Sequence, residues 1–467
     1  MKSTLFKSLT VAATLVAASF VCSAQKQIYS DIHPYTPVEG YTVPSDRAVL
    51  EKLDEWQDLK FGVIMHWGVY AIPGIVESWA LCSEDELWEY PVRQERNMTM
   101  TEFRKWYWDL SKVFNPVKFD PEKWAEIMDD AGMKYLVFTS KHHDGFCMFD
   151  TKYTDYSIKN TPFGSDPRYN IVDEVFKAFR QKDFMIGCYF SKPDWHCPYY
   201  WNPLFDAGDR NYNYDVKKHP EWQEAYAEFT RNQIGELTTE YGNIDILWLD
   251  GGQVDGSEVG LDGVLESARK RNPGMISVDR ACRNHNENYQ TPENHIPAVQ
   301  MNIPWETCDP LASWGWVYNP NYKSARTVIA NLIEIVAKGG NYLLGIGPDP
   351  MGEIDPGAQA ILSEIGEWLR KYGKAIYNTR ITPVYNDGDV WFNADKDGKT
   401  LYALYAYKGT DGTMPATVSW KGNVPDGKMT LVSTGKQVKY TVSGDLVTVT
   451  LPKNLPAESF ALAFTNR

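Results

Sequence analysis

Side chains that can move protons or bind polar ligands stand at the ends of five short apolar runs. The runs span residues 61–66, 135–140, 185–190, 244–249 and 275–278. At or just after their ends come, in chain order, His66, the pair His142 and His143, Asp194, Asp250 and Arg280. Strands of a parallel barrel end at one face, where active sites lie. One polar residue at a strand end means little, but five such ends predict a polar cup lined with aromatic rings.

Asp250 is the most informative of these residues. An apolar run carries it to the end of a predicted strand, and two glycines, Gly251 and Gly252, then turn the chain. An aspartate placed there serves as a nucleophile, as a metal ligand or as a structural cap, because Asp before Gly is also ordinary turn chemistry. The residues alone leave these three interpretations open.

The histidines raise the alternative of a metal hydrolase, with His66, His142 and His143 as zinc ligands beside Asp144 or Asp250. Successive residues of a strand point to opposite faces, so we expect His142 and His143 not to ligate one metal together. The chain also lacks HxH and HExxH spacing. Neutral imidazoles offer one donor and one acceptor, which suits sugar hydroxyls better, and we predict neither a metal nor an organic cofactor.

The elements that must position these residues alternate between strand and helix. Seven segments are predicted to be strands buried on both faces. They are the five apolar runs, a weaker run near Val299 and a last one at residues 342–346. Helical patterns separate them at residues 121–131, 172–182, 221–241, 261–271, 325–338 and 358–372. This alternation predicts an α/β fold, a (β/α)8-like, TIM-type barrel. No glycine-rich phosphate motif follows any strand, which weakens a nucleotide-binding alternative.

The ends of the chain read differently from its middle. Residues 1–24 have a basic start, an apolar stretch and small residues before Gln25, which predicts a signal peptide and a periplasmic or secreted protein. A polar arm is expected from residue 25 to residue 50. Beyond residue 380 short strands alternate with Asp/Gly/Lys turns, so we predict a catalytic barrel over residues 25–380 and a C-terminal all-β sandwich over residues 381–467.

Composition limits the possible partners. The chain of 467 residues has a formal net charge of −14, so nucleic acid is an unfavourable partner. After residue 24 no apolar run approaches the roughly 20 residues that span a bilayer. Aromatic residues make up 14% of the chain, and their flat faces suit both packed cores and sugar rings.

Five motifs in order resemble those of the α-L-fucosidases of glycoside hydrolase family 29. They read FGVIMHWG (61–68), KHHDGF (141–146), YFS (189–191), DILWLDG (245–251) and KGGNYLL (338–344). Each is weak or moderate alone, but their order and spacing extend over about residues 56 to 380. The all-β C-terminal region also fits this family's layout.

The resemblance implies hydrolysis of α-L-fucosides with retention, with a fucosylated oligosaccharide or glycoconjugate as substrate. The nucleophile of the family matches Asp250. Its acid/base lies on a variable loop, and the match falls on Glu293, with Glu287 and Glu306 as rivals. Such a site needs two carboxyl groups about 5 Å apart, one of them ionised and one protonated.

The resemblance also implies which residues contact the sugar. The matching positions are His66, Trp79, His142, His143, Tyr189 (or Phe190 after a shift of one residue), Trp248, Arg280 and Trp314. One departure concerns the segment VESWAL (76–81), where many members carry Glu-Trp-Tyr. Glu77 is displaced there by one residue, so the contact of that glutamate is in doubt, and the long loop over residues 81–104 bears on the aglycone subsite.

Two further functions compete with a retaining exo-α-L-fucosidase. The same machinery can serve a related sugar such as an α-L-galactoside, which differs by one hydroxyl on C6, and weak discrimination is expected where no group pairs with that hydroxyl. A non-catalytic glycan-binding protein is the other, and the presence of both Asp250 and Glu293 argues against it.

Overall fold

The computed structural model describes residues 41–82, 95–409 and 412–466, and the predicted signal peptide lies outside them. Seven parallel strands form the first sheet: β1 (Phe61–Met65), β2 (Tyr135–Lys141), β3 (Met185–Ser191), β4 (Ile246–Asp250), β5 (Ile276–Asp279), β6 (Glu306–Pro310) and β7 (Asn341–Gly345). They pair in the order β5-β4-β3-β2-β1-β7-β6. The predicted barrel-type α/β fold is confirmed.

Residues 288–294, here called the closing segment, join the two edge strands of this sheet. The amide of Asn288 donates to Ser277 of β5 (2.9 Å), while on the other side the amide of Cys308 in β6 donates to Pro292 (3.1 Å). The closing segment therefore occupies the place of an eighth strand without forming a regular one. It was not predicted, because its polar, proline-containing sequence lacks the apolar run of a buried strand.

Helices surround the sheet within the described residues. They are α1 (Arg47–Leu59), α2 (Met100–Asp109), α3 (Pro121–Asp130), α4 (Ile171–Arg180), α5 (Pro220–Glu240), α6 (Leu261–Arg271), α7 (Ala325–Ala337) and α8 (Pro356–Tyr372). The last six match the predicted helices to within two residues. No helix in these parts of the chain is long and apolar enough to cross a membrane.

Two local predictions were wrong. The polar arm predicted up to residue 50 ends earlier, since α1 begins at Arg47, where Asp46 accepts a hydrogen bond from the amide of Ala48 and caps the helix. The weak strand predicted near Val299 is a loop, and Val299 is 62% exposed. The strand lies instead at β6, whose sequence ETCDP carries polar residues because β6 lines the barrel interior and its mouth.

Helix α1 covers the end of the barrel opposite the C-terminal strand ends. The ring of Trp56 stacks on Tyr289 of the closing segment, with the centroids 4.2 Å apart, and contacts Tyr135 edge-on. The barrel interior is filled by side chains that point inward, among them Ile64, Val137 and Leu343. Because one end is sealed by packed rings, the open end is the one where the predicted site residues stand.

Two antiparallel sheets follow the barrel. The larger one contains β8 (Thr379–Arg380), β9 (Asn386–Asp387), β10 (Val390–Asp395), β11 (Leu401–Tyr405), β13 (Thr430–Leu431) and β16 (Phe460–Phe464), and the smaller one β12 (Thr417–Lys421), β14 (Lys439–Ser443) and β15 (Leu446–Thr450). Trp420 of the smaller sheet packs on Phe392 and Phe464 of the larger. The predicted all-β region is therefore a two-sheet sandwich; the domain boundary at residue 380 stays a prediction.

Candidate active site

A cavity of about 670 Å³, here called the catalytic cavity, opens at the C-terminal ends of the barrel strands. All ten predicted site residues line it: His66, Trp79, His142, His143, Tyr189, Trp248, Asp250, Arg280, Glu293 and Trp314. They come from eight separate parts of the chain, which only the closed barrel brings together. The structure thus gathers every predicted side chain, while the role of each stays a prediction.

Asp250, the last residue of β4, is held as a carboxylate. The hydroxyl of Tyr189 donates to its Oδ2 (2.7 Å), and the guanidinium of Arg280 donates to its Oδ1 (3.1 Å). Burial by itself raises the pKa of Asp250. The charge of Arg280, the neighbouring His143 and the hydrogen bonds from Tyr189 and the Gly251 amide lower the pKa by more than burial raises it. The pKa of Asp250 therefore lies well below its usual value. Asp250 is therefore ionised at neutral pH.

The turn after Asp250 requires glycine. Gly251 has a φ of 87°, in the left-handed region, and a Cβ added there would lie 2.1 Å from the ring of Pro193. The glycine lets the chain turn sharply enough for its own amide to bond the carboxylate.

Glu293, in the closing segment, faces the cavity on the other side of Arg280. The same guanidinium that binds Asp250 also binds Glu293, and the indole Nε1 of Trp314 donates to the other carboxylate oxygen (3.2 Å). One arginine thus holds both carboxyl groups on a single wall of the cavity. The closing segment explains the placement, since its bonds to β6 fix Glu293 beside Cys308.

The two rival acids lie elsewhere. Glu306 begins β6 and points into the barrel interior, where Trp248 Nε1 and the Tyr135 hydroxyl donate to its two oxygens (2.9 Å each). Glu287 directly precedes the closing segment in the chain and is buried. Burial raises the pKa of both to about 7, yet neither lines the catalytic cavity. Of the three candidates, only Glu293 can reach a ligand in this cavity.

His142 and His143 both face the cavity, which contradicts the expectation that they point apart. Their ring centroids are 4.2 Å apart. The alternation rule does not apply because β2 ends at Lys141, after a register shift against β3, so neither histidine belongs to a strand. The geometric argument against a shared ligand was therefore wrong.

His143 is fixed as a hydrogen-bond acceptor toward the cavity. Its Nδ1 lies 2.6 Å from Ser191 Oγ, and that hydroxyl donates to the carbonyl of Pro193 (2.6 Å). The single hydroxyl proton is thereby used, so Nδ1 must carry the proton and Nε2 the lone pair. Burial lowers the pKa of His143 to about 4, which keeps the ring neutral.

Glu77 sits between two histidines on the cavity wall, so its displaced position in the sequence does not remove it from the cavity. Its carboxylate oxygens lie 4.0 Å from His66 Nε2 and 3.5 Å from His142 Nε2, and it lines the cavity. Burial lowers the pKa of His66 to about 3 and that of His142 well below its usual value. A short 3₁₀ helix, Ser78–Leu81, follows Glu77 directly.

Two groups of side chains place their possible metal-binding atoms within 4.8 Å of one another. One group is His66, Glu77 and His142, and the other is His142, His143 and Asp250. Such spacing is compatible with a metal ion. His142 Nδ1 contacts Ser78 Oγ (2.5 Å), which leaves its Nε2 available for a ligand, whereas Asp250 is bound by Tyr189 and Arg280. These groups therefore form a hydrogen-bonded polar network, and a chelator control belongs in any assay.

The aromatic predictions divide clearly. Tyr189 points into the barrel mouth and stacks on Trp248 (5.2 Å), whereas Phe190 belongs to the outer core and carries Lys141 over its ring. The geometry therefore favours Tyr189 over the alternative shifted by one residue. Trp314 packs beside His66 with centroids 5.3 Å apart, and Trp79 beside His143 at 4.7 Å.

Sequence reasoning missed several polar residues of the cavity wall, among them Arg210 and Gln253. Arg210 comes from the long segment after β3 and lies over the ring of Trp79 (4.8 Å), and Gln253 follows the two glycines after Asp250. The Nε2 of Gln253 is buried without a partner in the described residues. No strand-end signal marks Arg210, whereas the closeness of Gln253 to Asp250 was a usable one.

Comparisons with known proteins point to one family. The family model described as Alpha-L-fucosidase matches residues 31–374. The plasma α-L-fucosidase of Homo sapiens is 28% identical over 389 residues, which cover 78% of each chain. The structure of α-L-fucosidase isoenzyme 1 from Paenibacillus thiaminolyticus superposes with a TM-score of 0.73 at 28% identity, covering 90% of this chain and all of that one. A Thermotoga maritima α-fucosidase with a mechanism-based inhibitor gives 0.71 at 26%, covering 88% and 96%.

Proposed function

The chain belongs to the α-L-fucosidase family of glycoside hydrolases, and from this premise we propose that it releases terminal α-L-fucose with Asp250 as nucleophile and Glu293 as acid/base. The observation that carries the assignment is the single guanidinium of Arg280, which binds both carboxyl groups. A guanidinium that contacts both carboxyl groups supports a retaining site, in which the two carboxyl groups typically lie about 5–5.5 Å apart.

The reaction takes two steps. In the first, Asp250 Oδ attacks the anomeric carbon while Glu293 gives its proton to the glycosidic oxygen, so the C1–O bond breaks and the aglycone leaves as an alcohol. In the second, Glu293 takes a proton from water, the water oxygen bonds to C1, and the Asp250 ester bond breaks. The strongly lowered pKa of Asp250 supports its part, since attack requires the ionised form.

The surroundings suit a neutral sugar. His143 presents the lone pair of Nε2, which accepts a hydroxyl hydrogen, and Glu77 accepts others between His66 and His142. Trp314 offers an apolar ring beside His66 for the methyl side of the sugar. An α-L-galactoside places a hydroxyl at that side, and we expect it to be cleaved more slowly.

The first test is hydrolysis of 4-nitrophenyl α-L-fucoside in EDTA buffer by the native protein and by Asp250→Asn. We expect turnover by the native protein and a loss of about 10⁴-fold or more in the variant. Glu293→Gln should lose activity on substrates with poor leaving groups, with Glu287→Gln as the matched control that keeps it. Azide should restore turnover to Asp250→Ala, because the anion fits the vacated space.

Each outcome decides a different point. Loss of activity in EDTA would instead support a metal hydrolase in which the histidines bind the metal. Equal activity of Asp250→Asn and native protein would reject the nucleophile. Binding of fucosides without any turnover would favour the glycan-binding alternative.

The cellular location is also part of the proposal. The pattern of residues 1–24 supports export to the periplasm or the medium with cleavage after Ala24. N-terminal sequencing of the protein from fractionated cells checks this, and a mature chain beginning at Met1 would contradict it. Fucose release from α1,2-, α1,3-, α1,4- and α1,6-linked oligosaccharides identifies the linkage.

A further inference from the structure

A second cavity of about 480 Å³ lies beside the catalytic cavity, behind the wall formed by Trp195. The ring of Trp195 packs on His143 (5.1 Å) and Trp79 (5.3 Å), which both line the catalytic cavity, while Trp195 itself lines the second one. Its volume falls within the range of small-molecule sites, about 300–1,000 Å³. Nothing in the proposed hydrolysis uses this space.

The two cavities are also joined by one short piece of chain. Ala207 lines the second cavity and Arg210 the catalytic one. Three residues span at most about 10 Å, so the two openings are separated by no more than a short stretch of oligosaccharide. Arg210 is fixed in place because its carbonyl accepts bonds from Trp195 Nε1 (3.2 Å) and the Tyr200 hydroxyl (2.8 Å).

The charges of the second cavity balance. Its lining includes two basic residues, Arg104 and Lys105, and two acidic residues, Asp109 and Asp206. His196 adds no charge at neutral pH, because burial lowers its pKa. A cavity without net charge gives an anionic or cationic ligand no general attraction, so a neutral ligand fits best.

The walls combine ring surface with unused hydrogen-bond donors. Asn202 is only 8% exposed; its Oδ1 accepts the amide of Leu204 (3.0 Å), which fixes the orientation of the side chain. Its Nδ2 has no acceptor among the described residues, and the same holds for the indole nitrogen of Trp108. Phe205 adds an apolar ring that is 46% exposed. Apolar faces next to open donors are what the C–H faces and hydroxyls of a sugar require.

We propose that the second cavity binds neutral sugars on the aglycone side of the scissile bond, beyond the residue that carries the fucose. The inference rests on the proposed function and deepens it. With fucose in the catalytic cavity, the chain of the substrate passes Arg210 and Trp79 and places its distal sugars against Phe205, Trp108 and Asn202. The enzyme therefore acts better on fucosylated oligosaccharides than on aryl fucosides.

The test compares two neighbouring residues of the same loop. Phe205 lines the second cavity, whereas Leu204 is 77% exposed and does not, so Leu204→Ala is the matched control. We expect Phe205→Ala to lower kcat/KM for fucosylated lacto-N-tetraose about fivefold or more, mainly through KM, as truncation of a true contact does. Both variants should hydrolyse 4-nitrophenyl α-L-fucoside at the native rate, and equal kcat/KM for the oligosaccharide in both variants would overturn the proposal.

A binding measurement separates this proposal from the activity. Unfucosylated lacto-N-tetraose is titrated into the native full chain, Phe205→Ala and Asn202→Asp by calorimetry, with no turnover needed. Asn202→Asp keeps the oxygen that binds Leu204 and removes the donor, so both variants should bind more weakly than native protein. Absence of binding to the native chain, or binding unchanged in both variants, rejects the site, while lack of fucoside turnover rejects only the proposed function.

Discussion

Asp250 and Glu306 are two carboxylic acids of one barrel whose pKa values move in opposite directions. Asp250 stands at the mouth, 14% exposed, and has a strongly lowered pKa; Glu306 lies in the interior, fully buried, and has a pKa raised to about 7. Trp248 links them, since its indole donates to Glu306 and its ring stacks on Tyr189, which binds Asp250. Each acid accepts a hydrogen bond from a tyrosine hydroxyl, Asp250 from Tyr189 and Glu306 from Tyr135.

The difference between the two acids is the cation. Burial raises the pKa of both acids, and both accept hydrogen bonds from neutral groups. Of the two, only Asp250 is in contact with a guanidinium. Hydrogen bonds from Trp248 and Tyr135 offset only part of the burial of Glu306. The charge of Arg280, more than the hydrogen bonds, therefore keeps the carboxyl group at the mouth of this barrel ionised.

The largest effect is expected from removing that cation. Arg280→Met leaves Asp250 buried without its partner, so we expect kcat/KM on 4-nitrophenyl α-L-fucoside to fall about 10²–10³-fold. Because the pKa of Asp250 then rises, the acidic limb of the pH profile should move to higher pH. Arg280→Lys is the control: it keeps the charge and should return the limb toward its native position with part of the activity. An unmoved limb in Arg280→Met would contradict this explanation.

Glu306→Gln should change stability rather than chemistry. The folded state holds a proton on Glu306 up to about pH 7, whereas the unfolded chain releases it near pH 4.5, so the native protein loses stability as pH rises between these values. Glutamine does not titrate, and the stability of the variant relative to native protein should rise between pH 5 and pH 8 by about 3 kcal/mol. Denaturant unfolding at both pH values measures this difference, and a constant difference would refute the raised pKa.

The smallest effects come from a matched pair of hydroxyl deletions. Tyr189→Phe removes a donor to an ionised carboxylate, worth about 1.5–3 kcal/mol, so kcat/KM should fall about 10–100-fold and the acidic limb should rise by about one pH unit. Tyr135→Phe removes the equivalent donor to Glu306 and should cost about 1 kcal/mol of stability without shifting the limb. If both variants shift the limb equally, the mouth and the interior do not differ as described.

Several features could be predicted because they follow from local patterns. Buried strands read as apolar runs, and residues just past them must meet at one face of a barrel, so His66, Asp250 and Arg280 were found without a structure. The turn at the glycines after Asp250 was also predictable from the local sequence. At Gly251 the turn and the approach of Pro193 exclude a side chain.

Other features escaped because they depend on contacts between distant segments. Arg210 reaches the cavity only through the anchoring of its carbonyl by Trp195 and Tyr200. The weak strand was placed near Val299 instead of at β6, since the interior-facing residues of β6 are polar. The opposite orientation predicted for His142 and His143 failed because a strand ends one residue before them.

The sequence by itself determined the barrel, the C-terminal sandwich, the family and the set of side chains at the strand ends, because periodicity and motif order are properties of the chain. Only the tertiary structure decided where each carboxyl group stands and which groups bind it. The sequence left Glu287, Glu293 and Glu306 as alternatives, since burial, a shared guanidinium and access to a cavity depend on which segments meet. The closing segment makes that choice: its bonds to β5 and β6 bring Glu293 to Arg280 while β6 turns Glu306 into the core.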